Sequence, residues 1–222
     1  LLAGKRLAGF GLTEPDAGSD AGGTRTRATL DEATGEWVID GEKAFITNSG
    51  TEITSLVTVT AVTGRVGDRP QISTIIVPSG TPGFEVAPPY RKMGWHASDT
   101  HGLSFSGCRV PADHLLGEEG RGFANFLSIL DEGRVAISAL AVGVIECCLA
   151  EARRYASERT TFGRPIGTNQ AIAFKIADLA VMAESARLLT YRAAALADAG
   201  RPFTKEAAMA KLYSTEAAVT AT

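Results

Sequence analysis

Near residue 117 the chain changes its grammar, and no fold built from one kind of element accommodates both halves. The first 117 residues hold seven of the nine prolines and most of the glycines, with short β-branched runs between them. In order these runs are "RTRATL", "EWVID", "KAFIT", "SLVTVTAV", "ISTIIVP", "FEVAPP" and "GLSFSGCRV". Each alternates or runs apolar over a few residues and is bounded by turn signals, which is how strands read. Asp40-Gly41, inside "IDGEK", separates two of them and predicts a type I′ hairpin. Strands so regularly spaced, with no helices between them, predict a compact antiparallel barrel or sandwich over residues 1–117.

After "VPADHLLGEEGRG" come long Ala-, Leu- and Glu-rich segments nearly free of glycine. The first predicted helix runs over about 123–157 and the third from about 204 to the end. The second, over 169–199, places Ile172, Ile176, Leu179, Met182, Ala183, Ala186 and Leu189 at three- and four-residue steps, an amphipathic stripe. Thr168 is expected to cap its start and Gly200 to end it. Helices of this length cover their apolar faces by packing on one another, which predicts an antiparallel bundle over residues 118–222. The fold class is α+β, with the two parts segregated along the chain.

At 222 residues, with 45% hydrophobic and 21% charged content, the composition is that of a globular protein and excludes disordered and fibrous classes. The net charge of −3, with lysines and arginines spread along the chain, argues against a nucleic-acid partner. "VAISALAVGVIECCLA" carries Glu146 and stops short of the roughly 20 residues a membrane span needs, so it reads as a buried helix. Cys108, Cys147 and Cys148, an odd count with two adjacent, give neither a disulfide framework nor a zinc-ligand spacing, which fits a reducing compartment. "LLAGKRLAGF" has neither an initiating Met nor the pattern of a signal peptide, and "EAAVTAT" stops inside a helical pattern, so both ends are expected to be cut.

Three polar stretches are candidates for chemistry. "TEPDAGSD", residues 13–20, reads as a metal loop, an acid pair or a turn. Its acids lack calcium-loop spacing, and a sequence does not show the contrasting environments an acid pair needs. The turn is favoured: Pro15 fixes φ, Asp16 and Ser19 can bond their own backbone, and Gly18 permits positive φ. "FITNSG" closes a strand with Phe45, Thr47 and Asn48; a flat apolar ring beside a hydroxyl suits the face and edge of a planar heterocycle, and a plain strand-ending turn is the alternative. "ERTTFGRPIGTNQAI" joins the first two helices and offers Arg159 and Arg164 beside a helix N-terminus, a setting for a phosphate or simply a polar connection. His96, His101 and His114 have no triad-like or metal-like company, and no metal site is predicted.

Taken together and in this order, the segments resemble the acyl-CoA dehydrogenase family. The resemblance is carried by "GFGLTEPDAGSDAGG", "WVIDGEKAFITNSG", "KMGWHASDTHGLSFSGCRVP", "LLGEEGRGF", "LDEGRVAISALAVG", "ERTTFGRPIGTNQAIAFKIADLA" and "KEAAMAKL", and covers essentially the whole chain. Through "LDEGR", "ESARLLTYRAA" and "KEAAMAKL" the chain is similar to the short-chain, butyryl-CoA-like branch. The resemblance implies a middle β-barrel domain and an incomplete C-terminal helical bundle with FAD held between them, without the family's N-terminal helical domain or the end of the bundle.

The same resemblance implies site residues. Residues 10–19, among them Phe10, Leu12, Thr13 and Ser19, would wrap the flavin ring, with Leu12 and Thr13 bonding its pyrimidine side. Phe45 would stack near the ring, where many relatives have Trp, and Ile46 and Thr47 would lie beside it, Thr47 near N5. Arg159, Thr161, Phe162, Asn169 and Gln170 match FAD-contacting positions, in the family partly supplied by a neighbouring subunit. Ser19, Asp131 and Arg134 match positions near the CoA thioester arm.

The implied reaction is α,β-dehydrogenation of a short- or medium-chain acyl-CoA to the trans-2-enoyl-CoA. A carboxylate takes the α-proton, the β-hydrogen leaves as hydride to flavin N5, and the electrons pass to an electron-transferring flavoprotein. The implied setting is fatty-acid β-oxidation in a homodimer or homotetramer, in bacterial cytoplasm or a mitochondrial matrix. The base departs from the pattern. Most of the family carries it in a "YEGT"-like segment, expected here beyond Thr222. A minority place it just before the arginine of "LDxxR", where this chain has Gly133; Glu132 lies about 100° away around a helix. Two alternatives that the resemblance leaves open are an inactive flavin- and CoA-binding module and an oxygen-using relative, an acyl-CoA oxidase or flavin monooxygenase.

Overall fold

The computed structural model describes residues 1–222 and divides them into two compact units, Leu1–Phe126 and Leu127–Thr222. The class is α+β: a curled sheet, then helices.

The first unit contains β1 (Leu7–Gly11), β2 (Arg27–Asp31), β3 (Glu36–Thr47), β4 (Thr54–Val66), β5 (Arg69–Pro78), β6 (Phe84–Val86) and β7 (Thr100–Pro111). They form one sheet in the order β1-β4-β2-β3-β7-β6, with β5 on β4. Alternate residues of the long strands face inward: Ile39, Val57, Val59, Ile75, Val77 and Leu103 are core, each worth roughly 1.5–3 kcal/mol when fully buried. The pairing is mixed rather than wholly antiparallel, because β1 runs parallel to β4 and β2 touches β4 in the parallel sense. β1 itself, "LAGFG", was hidden by its glycines. A Cβ on Gly9 would sit 2.9 Å from Val57 Cγ1, so glycine here permits close approach within a strand.

The hairpin expected at Asp40-Gly41 is absent, and "EWVID" and "KAFIT" belong to one strand, β3. Gly41 has φ 146 and lies against Thr26, whose Cα would be 2.7 Å from a Cβ at that position. Glycine serves packing there, and the chain reverses instead at Gly35 (φ 69) and Gly67 (φ 58). "FEVAPP" contracts to Phe84–Val86, since Pro88 and Pro89 cannot donate to a ladder.

The β3–β7 register slips twice. From Ile39↔Cys108 to Gly41↔Phe105, β7 carries an extra residue, with Gly107 at φ 56; from Lys43↔Leu103 to Ile46↔His101, the extra residue is in β3. The two bulges restore the register between them. The second also breaks the in-out alternation, so that Lys43, Ala44 and Ile46 point inward while Phe45 is thrown out.

In the second unit, α1 (Gly122–Glu158), whose first turn lies in the first unit, is 37 residues and about 55 Å long. It is followed by α2 (Gln170–Asp198) and α3 (Thr204–Ala221). Val142 and Ile145 of α1 pack with Ala183 and Ala186 of α2 and Ala217 of α3. Small residues recur along the facing stripes, Ala183, Ala186, Thr190 and Ala193 on α2 and Ala207, Ala210, Ser214 and Ala217 on α3, which brings these two helices close. Of the expected α2 stripe, Ala183 and Ala186 are buried, while the larger members are half-buried.

Thr168 does not cap α2. A short 3-10 turn over Ile166–Thr168 turns its hydroxyl back to donate to Pro165 O at 2.7 Å, and Asn169 becomes the cap residue. Gly200 ends α2 as expected: at φ 63, its N–H donates to Ala197 O and the Arg201 N–H to Leu196 O, the paired bonds of a Schellman turn. Glu146, the charge inside the apolar run, pairs with Arg187 of α2. Over 18 residues α1 reaches a mean hydropathy of 1.9, enough by length and composition to cross a membrane. Only 22% of that window is buried, with Val142 and Ile145 in the core of its unit, so the helix expected to be buried is largely exposed in this structure.

Candidate functional site

The bulge in β3 builds the first part of the site. Phe45, its extra residue, has φ 60, and its ring is 65% exposed, tilted against Tyr90 with centroids 5.0 Å apart. A left-handed aromatic costs about 1–3 kcal/mol and persists only where its surroundings dictate it. Bulges that re-aim a side chain are concentrated at functional rims. Thr47, exposed, follows at the end of the strand, and Ala44 N donates to Thr13 O at 2.9 Å, which brings the start of "TEPDAGSD" alongside "FITNSG".

The turn after Thr47 is held from below. Asn48, at φ 58, and Gly50 both donate backbone N–H groups to the Asp99 carboxylate at 3.0 Å. Asp99 also lies 3.3 Å from Nε2 of the buried His101, whose Nδ1 is 2.7 Å from Ala87 O. A Cβ on Gly50 would overlap the His101 ring. His101 is thus a packed histidine that props a loop.

The acids of "TEPDAGSD" have separate fates. Asp16 makes an exposed pair with Arg25. Glu14 is buried, and its carboxylate receives Lys43 Nζ at 2.7 Å, the Thr24 hydroxyl, Arg25 N at 2.6 Å and Thr26 N at 3.0 Å. Burial opposes its charge, but the hydrogen bonds from Lys43, Thr24, Arg25 and Thr26 outweigh that and hold the carboxyl at about 2. The partner responds in the opposite sense, with burial pulling Lys43 below the usual ammonium range against the pull of Glu14. Donors surround the carboxylate on every side, so the ionised pair is the form this geometry stabilises. Glu14 is therefore a fixed anion that folds the loop, and not an acid or base at neutral pH.

This pair was the feature hardest to see in the sequence. A signal existed: counting alternately from Trp37 and Ile39, Lys43 falls on the inward face of β3, where a lysine requires a buried partner.

The remaining rim residues divide by what their side chains can reach. Leu12 and Thr13 are half-buried, and Ser19 is exposed. Ile46 is 2% exposed, so only its backbone could meet a ligand. The Phe10 ring is stacked on Phe126, with centroids 3.7 Å apart.

In the second unit, "ERTTFGRPIGTNQ" folds as a small hairpin of β8 (Thr160–Thr161) and β9 (Arg164–Pro165). Phe162 (φ 52) and Gly163 (φ 78) form its two-residue turn, the pattern of a type I′ turn, with the Phe162 side chain fully exposed. Ile166 N donates to Arg159 O at 2.8 Å and Arg164 Nη2 to Asn169 Oδ1 at 3.2 Å, tying the loop to the start of α2. Arg159 and Gln170 are exposed and Thr161 is half-buried.

Asp131, buried, accepts from the Arg134 guanidinium and from the Thr204 hydroxyl, so it links α1 to the first residue of α3 while orienting a partly exposed arginine. A Cβ on Gly133 would meet open space, and Glu132 is exposed on another side of the helix. No group of three or more His, Cys, Asp and Glu side chains comes together as a metal site.

The rim fits a planar heterocycle: an outward aromatic at a strained position, with the Thr13 and Thr47 hydroxyls on adjoining backbone. Residues 9–108 match the family description "Acyl-CoA dehydrogenase, middle domain", and residues 120–222 match "Acyl-CoA dehydrogenase, C-terminal domain". The chain is 50% identical over its whole length to a Bacillus subtilis protein named "Probable acyl-CoA dehydrogenase YngJ". It is 41% identical, again over its whole length, to the short-chain specific acyl-CoA dehydrogenase of Megasphaera elsdenii. In both cases it spans 57% of the relative's length. The solved structure of butyryl-CoA dehydrogenase from Megasphaera elsdenii superposes with a TM-score of 0.91 at 41% identity, covering 97% of this chain and 56% of that one. With two domains of one family matched in chain order over nearly all of its residues, and the fold shared with a solved member, the chain belongs to the acyl-CoA dehydrogenase family.

Proposed function

We propose that the full-length protein carrying this chain is an FAD-dependent dehydrogenase of short-chain acyl-CoA thioesters. The β3 bulge that throws Phe45 outward beside Thr13 and Thr47 carries the reading, because it is a strained, exposed rim of the shape and polarity a flavin ring needs. FAD, when bound, supplies the two-electron acceptor. The chain's own residues do the rest of the holding. Phe45 covers one edge of the ring, Leu12, Thr13 and Thr47 present donors, and Arg159, Thr161, Phe162, Asn169 and Gln170 grip the cofactor, in part from a neighbouring subunit. Ser19 and Arg134, the latter oriented by Asp131, lie on the thioester side.

The reaction removes a proton from the α-carbon and a hydride from the β-carbon of the thioester. A weak carbon acid of this kind needs a desolvated base and preorganised donors at the thioester oxygen. Glu14 is engaged by Lys43 and Asp131 by Arg134 and Thr204, and position 133 is glycine; the family resemblance, rather than elimination, assigns the base to a Glu-containing segment C-terminal to Thr222. The electrons pass to an electron-transferring flavoprotein, and the working form is a homodimer or homotetramer.

The test is anaerobic titration of the purified full-length protein with butyryl-CoA. A yellow protein whose flavin bleaches stoichiometrically, with crotonyl-CoA as product, is the expected result. A colourless protein, or a flavin that butyryl-CoA leaves oxidised, overturns the proposal.

A further inference from the structure

The Lys43 ammonium, its side chain fully buried, meets four oxygens: Glu14 Oε1 at 2.7 Å, Thr60 Oγ1 at 3.1 Å, and Thr24 Oγ1 and Leu12 O at 3.2 Å. The Thr24 hydroxyl gives its hydrogen to Glu14 and the Thr60 hydroxyl gives its own to Gly11 O, so both turn lone pairs toward the ammonium. Leu12 O is the one main-chain acceptor of the four.

A planar trans peptide sets C=O and N–H in opposite directions, and the chain has no cis peptide. Because the Leu12 carbonyl points inward to Lys43, the N–H of the same peptide, that of Thr13, points out of the barrel. That carbonyl accepts a charge-assisted bond in a site closed to water. Such a bond polarises the whole amide, and each member of a hydrogen-bonded chain strengthens the next by roughly 10–30%. The Glu14 carboxylate beside Lys43 cancels most of the pair's field at a distance, leaving the route through the peptide as the means by which the lysine acts outside the barrel.

Resting on the flavin-binding reading above, we infer that Lys43 is a positioning residue for the redox site: it fixes the Leu12–Thr13 peptide and strengthens the Thr13 N–H as a donor to the pyrimidine edge of the ring. That edge gains electron density on reduction, so a stronger donor favours the reduced flavin. Glu14 supports this role, because its carboxylate keeps the buried Lys43 charged.

The experiment uses the full-length protein and its Lys43→Met and Glu14→Gln variants, each checked for folding by circular dichroism. FAD content and the oxidised-to-reduced ratio are measured against redox dyes. Lys43→Met is expected to keep its flavin and move that ratio toward oxidised by up to about tenfold, about 30 mV for a two-electron couple. Glu14→Gln, which removes the one carboxylate holding buried Lys43 charged, should move it toward oxidised as well, by no more than Lys43→Met does. Loading with 2-thio-FAD, a poor acceptor at that edge, should reduce the Lys43→Met difference to less than twofold. Equal ratios in all three proteins, or a Lys43→Met shift toward reduced, would show the pair to be structural only. If Lys43→Met does not fold, Glu14→Gln decides alone, and no shift or a shift toward reduced overturns the inference. A wild-type protein without flavin refutes the functional reading itself, and this inference with it.

Discussion

Replacing Glu14 by Gln keeps the shape of the side chain and removes the charge on which the loop is built. In the folded protein the carboxyl is held at about 2, against an ordinary value of 4.5. At about 1.4 kcal/mol per pH decade, that depression contributes about 3 kcal/mol to folding at neutral pH. A second route to the magnitude is the orphaned Lys43, since removing one partner of a buried pair costs about 3–5 kcal/mol. The amide also brings an N–H₂ group toward backbone donors at Arg25 and Thr26, which already point at this site. The expected loss is therefore about 3–5 kcal/mol, or roughly 6–20 °C in Tm for a protein of this size. The sign with pH follows from the lowered value: the stabilisation is complete above about 4.5 and disappears as pH falls toward 2. Urea denaturation of wild type and variant at pH 7, 5, 4 and 3 measures both effects, the gap closing in acid. The double variant Glu14→Gln/Lys43→Met should recover part of the loss, because a pair replaced on both sides leaves no lone charge. A single-variant cost below 1 kcal/mol, or a gap constant from pH 7 to 3, would refute the reasoning.

Further outcomes follow from the rim and the bundle. Asp131→Asn should cost about 1–3 kcal/mol and Thr204→Val about 1 kcal/mol, with the double variant costing less than their sum, because both act through one hydrogen bond between α1 and α3. Gly50→Ala should push the His101 ring away from Asp99 and weaken FAD retention more than tenfold in an otherwise folded protein, measured as flavin per mole after gel filtration. Unaltered retention would show that the prop under the turn is dispensable. Arg159→Ala should lower flavin content and oligomer mass together, read by absorbance and light scattering; a full complement of flavin contradicts its assigned role.

What the sequence disclosed depended on how local the determinant was. The three helices were legible from their periodicity, and the Gly200 exit from one residue, because both are set within a few positions along the chain. Most strands were legible for the same reason. Asp40-Gly41 misled because a glycine that makes room for Thr26 and a glycine that turns the chain are the same letter, and the distinguishing contact lies 15 residues away. Phe45 was legible as an aromatic beside hydroxyls, but its bulge exists only in the pairing with β7, more than 50 residues on. Glu14 shows the limit most plainly: among the polar letters of a turn it looks like an exposed acid, and only Lys43, Thr24 and the 25–26 backbone make it the centre of a buried network.

The parallel seating of β1 on β4, together with the long reach from β3 to β7, has a kinetic side. Leu7 pairs with Thr54, and Glu36 with Pro111, so β1 waits through dozens of residues for its neighbour, and the sheet is finished only after β7 is made. Loop closure over such separations slows folding and leaves strand edges open to other chains meanwhile. The backbone bonds of each helix form within a few residues, although α1 meets α3 only across 73 residues, at Asp131 and Thr204. The sheet is most exposed to aggregation while β1 to β6 have been made and β7 has not, and a holdase present in that interval should raise the yield of folded protein.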